Sequence, residues 1–148
     1  MQEFKVIVAG SREFNNYSLL AKKLHHLLKE KAETHKIVIV SGTARGADKL
    51  GELWASRHDH EVERFPADWN KHGKRAGYLR NKEMAEYADA LIAFWDGVSR
   101  GTEHMVNIME KLGKPVRTVR FMGAIIAPDE LPNYNDPDVQ ARLDNEWK

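Results

Sequence analysis

The sequence predicts an α/β protein: a Rossmann-like open parallel sheet of about five strands, in the order 3-2-1-4-5, with helices on both faces. Three observations predict it. Five short apolar runs recur, "FKVIVAG" (4–10), "KIVIVSG" (36–42), "EVERFPA" (61–67), "ALIAFWDG" (90–97) and "KPVRTVRF" (114–121), most of them rich in β-branched or aromatic residues and closed by Gly, Pro or Asp. Helical segments alternate with them one for one, which calls for parallel strands joined by right-handed crossovers. Finally, Val6-Ile7-Val8 and Ile37 to Val40 are continuously apolar, as strands buried on both faces are, whereas Glu61, Glu63 and Arg64 place the third run at an edge.

The elements follow in order. After the first strand, Asn16 or Ser18 caps a helix that carries Leu19, Leu20, Leu24, Leu27 and Leu28 on one broad face and reaches about Glu33. Helices over 48–58, 74–88 and 102–112 follow the second, third and fourth strands, the last stopped by Gly113 and Pro115. The alternation ends at Phe121. Residues 1–121 therefore read as one Rossmann-like domain, and 122–148, rich in Pro, Asp and Asn, as a C-terminal extension that is not a separate domain, with a short helix over 137–146.

Composition narrows the class. A chain of 148 residues is one ordinary domain. Lys and Arg total 23 against 22 Asp and Glu, so no general field attracts nucleic acid or anionic membrane, and phosphate affinity has to be local. The lack of cysteine excludes disulfides and thiolate chemistry; with no apolar run of membrane-spanning length and no signal-like start, the expectation is a soluble cytoplasmic protein. No cofactor or metal is expected. His58-Asp59-His60 lacks a third ligand at a known spacing and reads as a solvated turn, and His25-His26 on a helix do not share a face.

In open α/β sheets a ligand sits beyond the carboxyl ends of the strands, where the strand order reverses, here between the first and fourth. The unusual clusters of this sequence fall there: Gly10-Ser11-Arg12, "SGTARGAD" (41–48), Pro66-Ala67-Asp68-Trp69 and "DGVSRGT" (96–102). Small residues let backbone amides approach an anion, and a helix start leaves donors unpaired. Ser11, Ser41, Thr43, Ser99 and Thr102 add hydroxyls, Arg12, Arg45 and Arg80 forked cations, Asp48, Asp68 and Asp96 acceptors for ribose hydroxyls, and Trp69, Trp95 or Phe14 a stacking surface. The expected ligand is a nucleotide. Each loop alone also has a purely structural reading: glycines for tight turns, hydroxyls as helix caps, and Asp48 paired with Arg45 across its own turn. Trp54 and Trp95, inside apolar runs, read as core; Trp69, in a loop, is the better stacking candidate.

"VAGSRE", "SGTARGAD", "FPADW", "GKRAGYLRNKEM", "ADALIAFWDG" and "SRGTEHMV", in this order over about residues 4–120, resemble the YspA-type, cpYpsA-related members of the SLOG superfamily, relatives of DNA-processing protein A and of the Lonely Guy phosphoribohydrolases. The resemblance implies a Rossmann-like fold and a nucleotide or nucleotide-derived ligand. It implies ligand contacts at Gly10, Ser11, Arg12, Ser41, Gly42, Ala44, Arg45, Gly46, Asp48, Asp68, Trp69, Arg80, Asn81, Asp96, Gly97, Gly101 and Thr102, and the loop chemistry adds Ser99. Thr43 departs, standing where a glycine is usual, so either the loop narrows or the residue takes a negative φ. The hydrolase branch carries a glutamate three residues after its Gly-Thr; here that position is Met105, and Glu103 is rotated roughly 200° from it on a helix.

Three functions remain, in this order: binding or sensing of a nucleotide derivative; N-glycosidic hydrolysis of a nucleotide, with Glu103, Asp96 or Asp68 as acid or base and Arg80 on phosphate; and single-stranded nucleic-acid binding through Lys71, Lys74, Arg75, Arg80 and Lys82, placed last because the total charge is near zero. A homodimer or larger assembly is expected from the resemblance and from a first helix apolar enough for two neighbours.

Overall fold

The structure, a computed structural model, describes residues 1–121. Five parallel strands, β1 (Gln2–Gly10), β2 (His35–Ser41), β3 (Glu61–Arg64), β4 (Ala90–Trp95) and β5 (Val116–Arg120), form one sheet in the order β3-β2-β1-β4-β5. The strand order and fold class are those the sequence predicts. The register is regular: Val6 lies beside Ile39 on one side and Ala90 on the other, so β1 is buried on both edges and both faces. Val6, Ile7, Val8, Ile39, Val40 and Ile92 have no exposed surface, while β3 is largely exposed, as an edge strand with two glutamates and an arginine must be. The expected extension 122–148 and its helix over 137–146 lie outside the described residues.

The α-helices among the described residues are α1 (Tyr17–Leu28), α2 (Lys31–Thr34), α3 (Ala47–Arg57), α4 (Trp69–His72), α5 (Ala76–Tyr87) and α6 (Arg100–Lys111). Asn16 caps α1, its side chain accepting from Leu19 N at 3.0 Å. The helix expected over 16–33 is broken only by Lys29-Glu30, whose backbone keeps helical angles. Leu20, Leu24, Leu27 and Leu28 are all buried in the core beneath the sheet. The apolar face expected to serve two neighbours is thus covered within the chain.

The helix expected over 74–88 begins later. Asp68 caps the four-residue α4, Gly73 turns the chain at φ +57 into a 3₁₀ turn (Gly73–Arg75), and α5 starts only at Ala76. At its far end Lys114 closes α5, donating to the carbonyls of Ala85 (2.6 Å), Ala88 (2.8 Å) and Glu86 (3.2 Å), where a helix leaves acceptors unpaired and carries partial negative charge. No helix among the described residues is long and apolar enough to cross a membrane.

Candidate functional site

At the carboxyl edge of β1 the chain passes so close to β4 that only glycine fits. A Cβ on Gly10 would overlap the Phe94 carbonyl and lie 2.9 Å from Ala47 Cβ. This approach lets Ser11 N donate to Phe94 O (3.0 Å) and puts the Ser11 hydroxyl against the next loop. There Asp96 N donates to Ser11 Oγ (3.2 Å), Ser11 and Ser99 share a hydrogen bond (2.9 Å), and the Ser99 hydroxyl donates to Asp96 Oδ2 (3.0 Å). Asp96 Oδ1 also accepts from Val98 N (2.9 Å) and Ser99 N (2.8 Å). Although its partial burial acts the other way, these bonds hold the Asp96 carboxyl below its ordinary range.

The same loop leads into α6, whose first turn, Arg100-Gly101-Thr102, has backbone amides without intrahelical acceptors. Asn81 of α5 fixes it in place: its side chain donates to Gly101 O (3.2 Å), lies 3.2 Å from His104 Nδ1, and accepts from Arg80 Nε (3.1 Å). Burial lowers the His104 pKa, with Lys111 adding to the effect. Opposite, Gly46 begins α3 at φ +84 and packs its α-carbon on the carbonyls of Ser11 and Arg12, a position closed to a side chain. Asp48, in the first turn of α3, is 5% exposed; its Oδ2 accepts from Ala44 N (3.1 Å), and burial above all pushes its pKa up to about 6 despite Arg80 and Arg12 nearby. Arg80 donates from Nη1 to Gly42 O (2.5 Å), and burial lowers its own pKa.

These groups enclose a crevice of about 400 Å³. Of the residues expected at the site it is lined by Gly10, Ser11 and Arg12 from the first loop, Ala44 and Asp48 from the second, Arg80 and Asn81 from α5, and Ser99, Gly101 and Thr102 from the fourth. A second hollow of about 460 Å³ adjoins it, sharing Arg12, Ala44 and Arg80, and is lined further by Gly42, Thr43, Arg45, Pro66, Ala67 and Trp69, the last 50% exposed.

Other expected residues have local work instead. Ser41 is fully buried, donating to Glu52 (2.6 Å) and accepting from Thr43 N (3.1 Å); Asp68 caps α4; Asp96 closes its own turn; Gly46 and Gly97 (φ +89) shape the backbone. Glu103 is exposed and lines neither hollow. Arg45 pairs with Glu13 at 2.6 Å on the surface, not with Asp48. Phe14 is no stacking platform: it is 2% exposed, its ring stacked on Phe94 (4.9 Å) and edge-on to Phe121 (4.8 Å). Trp54 is buried, with His58 stacked on it at 4.7 Å, and Trp95 donates to Ser99 O (3.0 Å). Thr43 takes φ +66, so the loop keeps the left-handed shape a glycine would give it and strains the threonine instead.

Sequence reasoning missed Glu13 and Arg100, and the apolar lining of Ala9, Met84 and Met105. Arg100 was visible as a cation in the first turn of a helix at the switch point. Met105, 1% exposed, occupies the wall where the hydrolase branch is expected to carry a glutamate.

Fold and crevice together define a Rossmann-like protein whose polar loops meet at the reversal of strand order. Residues 4–72 match the model of the YspA, cpYpsA-related SLOG family. A relative, the Gene 61 protein of Mycobacterium phage D29, is 38% identical over 122 residues, 76% of this chain and 93% of the phage protein. The chain belongs to this SLOG family. Among solved structures it is similar to DNA processing protein A of Streptococcus pneumoniae (TM-score 0.62, 18% identity, 84% of this chain and 52% of that one), so it spans about half of that protein's length. It is also similar to the structural-genomics target TM1055 (TM-score 0.56, 19% identity, 78% and 72%) and to DNA processing protein A of Helicobacter pylori, described with a single-stranded DNA binding mode (TM-score 0.54, 19% identity, 98% and 82%). At these identities the structural likeness shows the fold.

Proposed function

We propose that the crevice binds a nucleotide or nucleotide derivative, with a phosphate at the start of α6 and the base toward Trp69. One observation carries this reading. The Ser11 and Ser99 hydroxyls are committed to Ser99 and Asp96, but Thr102, only 5% exposed and lining the crevice, has no hydrogen-bond partner for its hydroxyl among the described residues. That hydroxyl is an uncommitted donor at the crevice, and an oxyanion beside the free amides of Arg100, Gly101 and Thr102 accepts from it. A Cβ on Gly101 would meet nothing within 4 Å, so this face of the turn is open. Arg12, Arg80 and Arg100 supply the balancing charge. Met105 at the wall and Glu103 outside it favour binding over glycosidic hydrolysis.

Calorimetric titration with nucleoside mono- and diphosphates and ADP-ribose tests the reading. Binding is expected, and Thr102→Val, which keeps the shape and removes the hydroxyl, weakens it about tenfold. A folded protein that binds none of them removes the proposal.

A second reading has its own support. Residues 69–82 hold Lys71, Lys74, Arg75, Arg80 and Lys82 and no carboxylate, so the near-neutral total conceals a local excess of cations. Trp69 and Tyr78, 50% and 46% exposed, stand among them, the combination single-stranded nucleic acid uses for phosphates and bases. The similarity to the Helicobacter pylori protein adds to it, and raises nucleic acid above the place total charge gave it. Fluorescence anisotropy with an oligothymidylate should show binding that weakens steeply with salt; salt-independent or absent binding ends this reading.

A further inference from the structure

The three aspartates expected to meet ribose hydroxyls separate in the structure. Asp96 is committed to two backbone amides and the Ser99 hydroxyl, and Asp68 to the amide of Lys71. Asp48 differs. It lines the crevice while 5% exposed, its Oδ2 has a single bond, to Ala44 N, and its Oδ1 has no hydrogen-bond partner among the described residues. The nearby guanidinium does not neutralise it by contact: Arg80 turns Nη1 to the Gly42 carbonyl, and no ion pair of Asp48 within 4.0 Å occurs among the described residues. Gly42 shows how closely the two groups converge, since a Cβ there would lie 2.8 Å from both Arg80 Nη1 and Asp48 Oδ2. A carboxylate so enclosed is costly without donors, and the open side of Asp48 is the side that faces a ligand.

We propose that Asp48 is the specificity residue of the crevice, accepting hydrogen bonds from hydroxyls of a phosphate-bearing sugar and so separating sugar phosphates from phosphate esters without hydroxyls. The inference rests on the phosphate reading above and extends it. Phosphate alone is a poor neighbour for a carboxylate; a ligand that places an anion at α6 and hydroxyl donors at Asp48 satisfies both ends of one crevice. The groups facing Asp48 are Arg12 from the β1–α1 loop, Arg80 from α5, Glu52 from its own helix and the Ala44 amide. With its pKa pushed up to about 6, Asp48 is an ionised acceptor at pH 7.5 and largely protonated at pH 5.

Calorimetric titration of the full chain with ribose 5-phosphate and with propyl phosphate compares two monoesters of equal charge, one bearing hydroxyls and one lacking them. At pH 7.5 ribose 5-phosphate is expected to bind at least tenfold tighter, and Asp48→Asn to cut the ratio below threefold while leaving propyl phosphate bound as well or better. At pH 5 the wild-type ratio should fall toward that of the variant, because the phosphate titrates alike in both ligands and cancels. Equal binding of the two esters by the wild type overturns the proposal and leaves the phosphate reading standing. A ratio unchanged in Asp48→Asn assigns the hydroxyls to another group and also overturns it. Failure of both esters to bind a folded protein sinks the phosphate reading and this inference together.

Discussion

The two rims of the crevice are built differently, although both grow from the same sheet edge. On the α6 rim, Ser11, Asp96 and Ser99 form one hydrogen-bonded network and Asn81 separately holds Gly101 O, with donor–acceptor distances of 2.8–3.2 Å across three separate chain segments. On the Trp69 rim the long-range bond from Arg80 to Gly42 O stands beside contacts that are local or exposed: Asp68 caps a helix of four residues, Arg45 meets Glu13 with both side chains over 70% exposed, and Thr43 sits at φ +66. A surface ion pair of that kind adds little stability. On the proposed function the contrast separates two demands on one ligand. A phosphate has one shape and is best met by donors held in place beforehand, while a base or sugar of variable outline is better met by a rim that adjusts.

The largest expected effect comes from forcing the first loop off the start of α3, which packs against it. Gly46→Ala adds a methyl 2.7 Å from the Arg12 carbonyl oxygen at a φ of +84, combining left-handed strain with a backbone clash. Urea denaturation should show a loss of more than about 3 kcal/mol; a loss below about 1 kcal/mol would mean that the first loop is free to move and that the rims do not differ as described.

Asp48, between the rims, comes next and with the opposite sign. Its pKa is raised to about 6, so the folded state holds its proton more tightly than the unfolded chain does. Stability from this group is therefore greatest below the unfolded value near 4, falls as pH rises from about 4 to 6, and is level above that. Asp48→Asn, which has no proton to lose, should raise stability at pH 7 by up to about 3 kcal/mol and change it little at pH 4. Equal gains at both values would show that ionisation is not the cause.

The strand order was legible because Val6 to Val8 and Ile37 to Val40 can be satisfied only in the middle of a covered parallel sheet, and the loops could then be assigned to one edge without knowledge of side-chain positions. Gly10, Ser11 and Thr102 were legible at the site for the same reason. What stayed hidden depends on torsions and on distant partners. Whether Asp96 faces a ligand or its own turn is decided by one side-chain rotation that brings Val98 N and Ser99 N within reach. Phe14 is closed off by Phe94 and Phe121, some 80 and 107 positions away. The late start of α5 had a visible signal in Gly73, but the four-residue α4 exists only because Asp68 caps it. Arg100 and Arg45 look equivalent in the sequence, and only the placement of their loops sends one to the crevice and the other to Glu13.

A smaller change tests how the α6 rim is held. Asn81→Ala removes the donor to Gly101 O and the acceptor for Arg80 Nε at a site 6% exposed. The expected cost is about 2 kcal/mol in denaturant unfolding, together with faster hydrogen exchange at the amides of residues 103–105, the first of α6 with acceptors in the helix. Unchanged exchange would place the stiffness of the rim in the Ser11–Ser99–Asp96 network alone.

The smallest effect belongs to the Trp69 rim and runs against the usual direction of substitution. Thr43 is β-branched and left-handed, a combination that costs about 1–2 kcal/mol relative to a relaxed backbone. Glycine removes that strain but loses about 0.5–1 kcal/mol to the greater freedom of its unfolded chain. The difference predicts that Thr43→Gly is stabilising by about 0.5 kcal/mol, although it deletes a half-buried side chain, and that the amide of residue 43 keeps its bond to Ser41 Oγ. Paired denaturation curves resolve a change of this size when the slopes coincide. A loss of 1 kcal/mol or more would show that the threonine side chain anchors its loop, in which case the Trp69 rim is as firmly built as its counterpart and the division of labour between them fails.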